Sequence, residues 1–377
     1  MTYDLIVIGA GGVGSAAAYH AAKRGLKVLA LDRFPPGHDR GSSHGQTRII
    51  RQAYFEHPDY VPLLFRAYEL WRELEEVTGD SLLRINGLLQ IGAPNGEVIT
   101  GVKESARRWN LQVESLSESQ LNADFPQFHL PAGCEALYEA QAGVLRVEEC
   151  VLAHAKAAES LGADFRQLVT VDSWRKEGQS VRVFTDQGEF FAAYAIITPG
   201  AWASSLLGPL SSSLRVLRKH LHWFIVEQFA KWRCPSFLYD LPDGCFYGIP
   251  SQDGMDLKIG EHSGGSIVEN PLLDARGKET EDEMRVAAFV AQQLRGIAKH
   301  SSAHKACFYT MSPDQHFMVG RHPEADNVAF ACGLSGHGFK FTGALGEALV
   351  SLALGESCPV NVDFLCPSRF NKASART

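Results

Sequence analysis

Two short segments near opposite ends of the chain carry residue types suited to holding a nucleotide. Asp4-Leu5-Ile6-Val7-Ile8 reads as a strand running into Gly9-Ala10-Gly11-Gly12-Val13-Gly14, a G-x-G-x-x-G pattern in which Gly9, Gly11 and Gly14 let a backbone turn tightly and approach a pyrophosphate at a helix N-terminus. Ser15 to Lys23 supplies the small, helix-forming turns of that helix. Asp32 follows a second strand, Lys27 to Leu31, where a carboxylate accepts ribose hydroxyls and repels a 2′-phosphate. NAD and FAD share this grip, so the pattern alone does not choose between them. Near the other end, Gly333-Leu334-Ser335-Gly336-His337-Gly338-Phe339-Lys340 sets glycines and a cation at the entry to a helix. Between the two lies Pro35 to Arg51, with Ser42, Ser43, His44, Thr47, Arg48 and Arg51 in ten residues, too long and too reactive for an idle connection. Gly200, in Ile196-Ile197-Thr198-Pro199-Gly200-Ala201-Trp202, marks a second backbone approach to the cofactor.

The elements that must position these residues belong to an α/β chain. Its 377 residues, 45% hydrophobic and 21% charged, allow two domains with a substantial core. Net charge is −7, and no Lys/Arg cluster is interleaved with aromatics, so nucleic acid is not an expected partner. No apolar run approaches the roughly 18 residues of a membrane span, and no leader is read at the start. A cytoplasmic enzyme without membrane association is the expectation. Eight cysteines without a C-x-x-C pair suggest neither a disulfide framework nor a zinc knuckle. His220-x-His222 and His300-x-x-x-His304 have no third ligand nearby in sequence, so no metal is expected.

The pattern predicts a helix from about Pro58 to Val77, a strand at Leu88 to Ile91, helices at Val98 to Trp109 and Val147 to Leu161, and a strand pair at Val181 to Phe184 and Phe190 to Ile197. From Leu214 to Tyr309 it changes to β-like segments with one helix near Glu279 to Gly296. A last helix begins near Gly338, with Ala344, Leu345, Ala348, Leu349 and Leu352 at helical spacing. The expected fold is a Rossmann-like dinucleotide-binding domain over 1–85, 145–213 and 316–377, interleaved with a mixed-sheet substrate domain over 86–144 and 214–315.

Taken with the opening fingerprint, GSSHGQTRIIR near residue 45, YGIPSQDGMDLKIGEH near 255, CFYTMSPDQHF near 310 and GLSGHGFKF near 337 resemble the monomeric sarcosine oxidase and N-methyl-L-tryptophan oxidase family of FAD-dependent amine oxidases. The stretch Leu241 to His262 looks closer to N-methyltryptophan oxidase. The resemblance implies FAD bound covalently through Cys307, assisted by His44 and Arg48, with Ser42, Gly336, Gly338 and Lys340 also at the cofactor; one departure is Ser43, where the family usually has histidine. It implies Arg51 and Lys340 as ligands of the substrate carboxylate, Lys258 as the residue activating oxygen, and Tyr247, His262 and Tyr309 as the lining of the substrate cavity. The implied reaction takes a secondary amino acid, N-methylated or cyclic, with O₂ and water to a primary amine, an aldehyde and hydrogen peroxide through an imine, on a monomer. Sarcosine or a cyclic imino acid such as pipecolate is the alternative substrate. An NAD-dependent dehydrogenase explains neither Cys307 nor the SHGQTR and SGHGFK segments, and a non-catalytic flavin-binding protein is the remaining class.

Overall fold

The computed structural model describes residues 2–227 and 234–373. Its first sheet is organised by the strand Thr2–Ile8, in which Leu5 and Val7 enter one apolar layer while Tyr3, Ile6 and Ile8 enter another. A strand buried on both faces is what the centre of a parallel sheet requires. It pairs in parallel with Val28–Leu31 on one side and Gly188–Ile197 on the other. Asp164–Arg166 and Ala325–Cys332 extend the parallel region outward, and the antiparallel strands Val171–Glu177, Ser180–Thr185 and Met318–His322 complete eight strands.

The helix Gly12–Lys23 packs between the helices Val147–Ser160 and Thr342–Leu354. Its small side chains permit a very close approach: a Cβ on Gly346 would stand 2.7 Å from the Ala17 backbone nitrogen. This contact brings the first and last motifs of the chain to one place.

The second sheet has nine strands among the described residues, with Arg215–Ile225 flanked by Asp256–Glu261 and Ala303–Met311. One face packs Phe224, Phe246, Leu257 and Ile259 against Val286, Phe289 and Val290 of the helix Thr280–Gln293. The other presents Leu221, Trp223, Cys307 and Tyr309 with Tyr247, the alternation a strand with two different environments must show. A three-stranded sheet of Thr47–Ile50, Gly143–Arg146 and Leu83–Ile85 joins the chemistry-bearing loop to the rest.

Every strand of the first sheet lies within 1–85, 145–213 or 316–377, and every strand of the second within 86–144 or 214–315. Only Gly143–Arg146 straddles a sequence-derived boundary; residues 1, 228–233 and 374–377 of that division lie outside the described ones. Helix starts differ from expectation in small ways. The first helix begins at Gly12, and the helix expected from Gly338 opens as a tight turn, Phe339–Phe341, before Thr342–Leu354. Among the described residues no helix is long and apolar enough to cross a membrane.

Candidate active site

The glycine-rich ends of both motifs open into one cavity of about 190 Å³. Gly9, Gly11, Asp32, Ser42, Arg48, Gly200, Gly336 and Gly338 border it. Close packing fixes the turn: a Cβ on Gly9 would meet the Thr198 carbonyl oxygen at 2.4 Å, and one on Gly14 the Gly9 oxygen at 1.8 Å. Gly14 does not border the cavity and instead locks helix to strand, the third-glycine role in such turns. The Asp32 carboxylate accepts from the Ala10 N–H at 2.7 Å and the Phe34 N–H at 2.8 Å. Burial raises its pKa against the lowering effect of these N–H groups and His38. Trp202 Nε1, Thr310 Oγ1 and Thr342 Oγ1 are buried around the cavity without hydrogen-bond partners among the described residues. A polar ligand would satisfy them, and with the glycine turn and Asp32 at the same cavity the residues present suit a dinucleotide.

A second cavity, of about 60 Å³, shares Arg48, Tyr309, Gly336 and Phe339 with the first. Its walls bring together Arg51, Tyr247, His262, Tyr309 and Lys340, five residues drawn from four separate stretches of sequence. Arg51 and Lys340 are 4% and 5% exposed. Lys340 Nζ donates to the His337 carbonyl at 2.7 Å, and among the described residues no carboxylate lies within ion-pair distance of it. Burial, then the Arg51 charge, push its pKa well below the lysine value. Arg51 packs over the rings of Tyr54 and Phe55, and its Nε is buried without a partner. His262 Nδ1 stands 3.4 Å from the Tyr309 hydroxyl, and burial lowers its pKa to about 4, so the imidazole is neutral.

The guanidinium of Arg51 has company that the sequence reading missed. Its Nη2 donates to both Glu56 oxygens, at 2.8 and 2.6 Å. Burial raises the Glu56 pKa, but Arg51, His337 and Lys340 outweigh it and hold the carboxyl at about 2. His337, also missed, donates from Nε2 to the Gln315 carbonyl at 3.0 Å, which leaves Nδ1 to accept from the Tyr54 hydroxyl at 2.5 Å. The available signal was an acid five residues beyond Arg51 and a histidine inside the Gly-rich segment. Neither has a spacing that names its partner.

Three expected residues stand behind the cavities rather than in their walls. Lys258 is 2% exposed and donates to the Gly45 and Thr47 carbonyls at 2.8 and 2.5 Å; burial and Arg48 push its pKa well down. Cys307 is 1% exposed, packed with Leu221 and Trp223, and burial pushes its thiol up while Arg48, Lys258, Lys219 and Arg276 pull it down. The strand buries this side chain on the sheet's packed face, whereas a reactive cysteine calls for an accessible thiolate. His44 is buried with neither ring nitrogen bonded, and burial lowers its pKa to about 3. Arg48 links this layer to both cavities, donating to the Thr47 and Ser42 carbonyls.

Away from the cavities, His304 joins His220 and His222 across neighbouring strands. His220 Nδ1 lies 2.8 Å from His304 Nε2, and His222 Nε2 lies 2.8 Å from Asp282. His220 Nε2 lies 3.4 Å from a Glu279 oxygen and His222 Nδ1 is buried without a hydrogen-bond partner among the described residues, and no metal-holding group of three or more His, Cys, Asp or Glu occurs among them.

The FAD dependent oxidoreductase family matches residues 4–352. A monomeric sarcosine oxidase of Streptomyces avermitilis is 37% identical, covering 99% of each chain. An N-methyl-L-tryptophan oxidase of Yersinia pestis is 36% identical over 98% of this chain and 100% of its own. Identity at this level does not divide the two, so the sequence preference for the second gains nothing. A solved structure of a mutant of NikD, described as an unusual amino acid oxidase essential for nikkomycin biosynthesis, aligns with a TM-score of 0.87 over 97% of each chain at 22% identity, a likeness of fold.

Proposed function

From the premise that the chain belongs to the FAD dependent oxidoreductase family, we propose that it oxidises the C–N bond of a secondary amino acid held in the smaller cavity. The products would be an imine, hydrolysed to a primary amine and an aldehyde, and hydrogen peroxide from O₂. The observation that carries this reading is the pairing of two buried cations, Arg51 and Lys340, with neutral His262 and Tyr309 in a cavity sharing a wall with the dinucleotide cavity.

FAD, when bound, supplies the acceptor for a hydride and passes the electrons to O₂. Gly9, Gly11, Asp32, Ser42, Gly200, Gly336 and Gly338 would hold it along the longer cavity. Arg51 Nε and the spare N–H groups of Lys340 offer a carboxylate donors that nothing else uses, fixing the substrate at one end. The charges argue the same way: Glu56 pairs with Arg51, and a substrate carboxylate would favour the charged form of Lys340, which burial and Arg51 disfavour. In the tautomer that carries its proton on Nδ1, facing Tyr309, the Nε2 atom of His262 would accept from the substrate amine. A neutral imidazole there favours the amine over the ammonium, and only the amine has a lone pair to expel hydride. Lys258 would stabilise negative charge developing on oxygen. Covalent attachment through Cys307 belongs to this proposal; it needs the buried side chain to reach the flavin, and four cations oppose the upward push of burial on its thiol without reversing it. The "monomeric" in the sarcosine oxidase name supports action as a monomer.

The test is peroxide and aldehyde release with sarcosine, N-methyltryptophan, N-methylalanine and pipecolate. Turnover of at least one is expected. A yellow protein that turns over none of them, but oxidises primary amino acids or nothing, overturns the reading.

A further inference from the structure

Lys219 is a buried cation that the mechanism above does not use. It is 2% exposed, lies opposite Cys307 in the strand register, and has no carboxylate within ion-pair distance among the described residues. Its Nζ donates to the Ser263 carbonyl at 2.5 Å and the Gly264 carbonyl at 3.1 Å, and sits 5.6 Å from the centre of the Tyr309 ring. The turn is shaped to receive it. Gly265, at φ +110°, leaves the space beside the lysine chain open, where a Cβ would stand 2.9 Å from Lys219 Cδ.

Burying an ammonium without a counter-ion is expensive, and the turn has other anchors. Ser263 Oγ donates to Glu261 at 2.7 Å and accepts from the Cys245 N–H at 2.9 Å. A methionine-like side chain would fill the same volume at lower cost. What the lysine adds is a positive charge and two bonds to the turn that begins at His262.

We propose that Lys219 is a positioning residue for the amine end of the active site: it clamps the turn after His262 and sets its charge behind Tyr309, keeping His262 neutral against the Tyr309 hydroxyl. The groups facing His262 are Tyr309 and Tyr247 from neighbouring strands, Arg51 and Glu56 from the segment before the first long helix, His337 and Lys340 from the late Gly-rich segment, and Lys219. Burial is the main cause of the low His262 pKa. Glu56 opposes it, and Lys219, Arg51 and Lys340 add to it. Of these cations Lys219 alone does not border the substrate cavity, so it can be changed without touching the carboxylate site. The inference rests on His262 serving the amine, as proposed above.

The experiment compares wild type with Lys219→Met, Lys219→Gln and Lys219→Arg holoenzymes. The imidazole of His262, assigned by its loss in His262→Asn, is titrated by NMR, and the pH dependence of kcat and KM is followed with whichever secondary amino acid is turned over. In Lys219→Met and Lys219→Gln the His262 titration should move up by roughly one unit. The acid limb of kcat should move in the same direction, KM for the amino acid should change little, and Lys219→Arg should restore both. Lys219→Gln keeps a donor for the turn, so it serves if Lys219→Met does not fold. An unmoved His262 titration in whichever neutral variant folds overturns the proposal and leaves Lys219 a core spacer. A moved titration without any secondary amino acid turnover supports the positioning and overturns only the reading of the reaction.

Discussion

Arg51 and Lys340 are both buried, but among the described residues only Arg51 has a carboxylate partner, so the two side chains contribute differently to holding a substrate. Replacing Lys340 by Met removes the cation without an ion-pair partner, and Arg51→Gln also frees Glu56 as an unpaired buried acid. Both should raise KM for the amino acid by roughly 30-fold to several-thousand-fold, the span of about 2–5 kcal/mol for a lost buried charge contact. Arg51→Gln should additionally lower thermal stability; equal Tm values for the two variants would count against the Glu56 pairing. Lys258→Met should still lose the yellow absorbance at the normal rate when mixed anaerobically with substrate, yet recover it in air about two orders of magnitude more slowly. Recovery at the wild-type rate would mean that Lys258 only ties the Gly45–Thr47 backbone. These residues were legible because each sits in a distinctive string. Glu56, His337 and Lys219 were not, because their meaning lies in contacts with residues far away in sequence or facing another strand, and a single acid or lysine in a polar-flanked strand carries no mark of burial.

Among the elements, the helix Thr342–Leu354 holds the late motif against the first helix. Its apolar spacing at Ala344, Leu345, Ala348 and Leu349 was readable, and so was the strand–glycine–helix unit at the start. What spacing could not tell was that Gly346 faces the backbone of Ala16 and Ala17. Gly346→Ala should therefore force the helices apart and destabilise the protein by about 1–3 kcal/mol, as overpacking does, with reduced flavin content measured by absorbance after purification. A stability equal to wild type, or higher from better helix propensity, would show that the pair relaxes freely. The second sheet was legible as strands but not as an order. The crossing of Leu88–Gly92 to pair in parallel with Ser236–Leu241 joins stretches far apart in the chain, and nothing local encodes such a pairing. Cys307 shows the same limit: a strand residue's type was clear, while the face it occupies depended on register.

For the molecule as a whole, interleaving places the dinucleotide cavity and the smaller cavity on a common wall of Arg48, Tyr309, Gly336 and Phe339, contributed by the three-stranded sheet, the second sheet and the late Gly-rich segment. The two-part division was read from the change to β-like segments near Leu214; the common wall needed three dimensions. Folding also buries neutral histidines. His20, His154 and His337 are each held at about 3, chiefly by burial, below their ordinary value near 6.5. Between those two values the unfolded chain binds more protons, so stability falls as pH drops from about 6.5 towards 3. Glu56, held at about 2, adds a loss in the same direction below its ordinary range. Tm should thus be level near neutrality and decline on acidification, and replacing His20 and His154 by apolar residues should flatten that decline; an unchanged slope would place the acid sensitivity elsewhere. The central claim, that a substrate carboxylate anchored by Arg51 and Lys340 presents a secondary amine to the flavin, is tested most directly by anaerobic stopped-flow absorbance with sarcosine against dimethylamine, the same amine group without the carboxylate. Rapid loss of the flavin band is expected with sarcosine, or with whichever N-methyl or cyclic amino acid is the substrate, and almost none with its carboxyl-free counterpart. Bleaching at equal rates by both would contradict it.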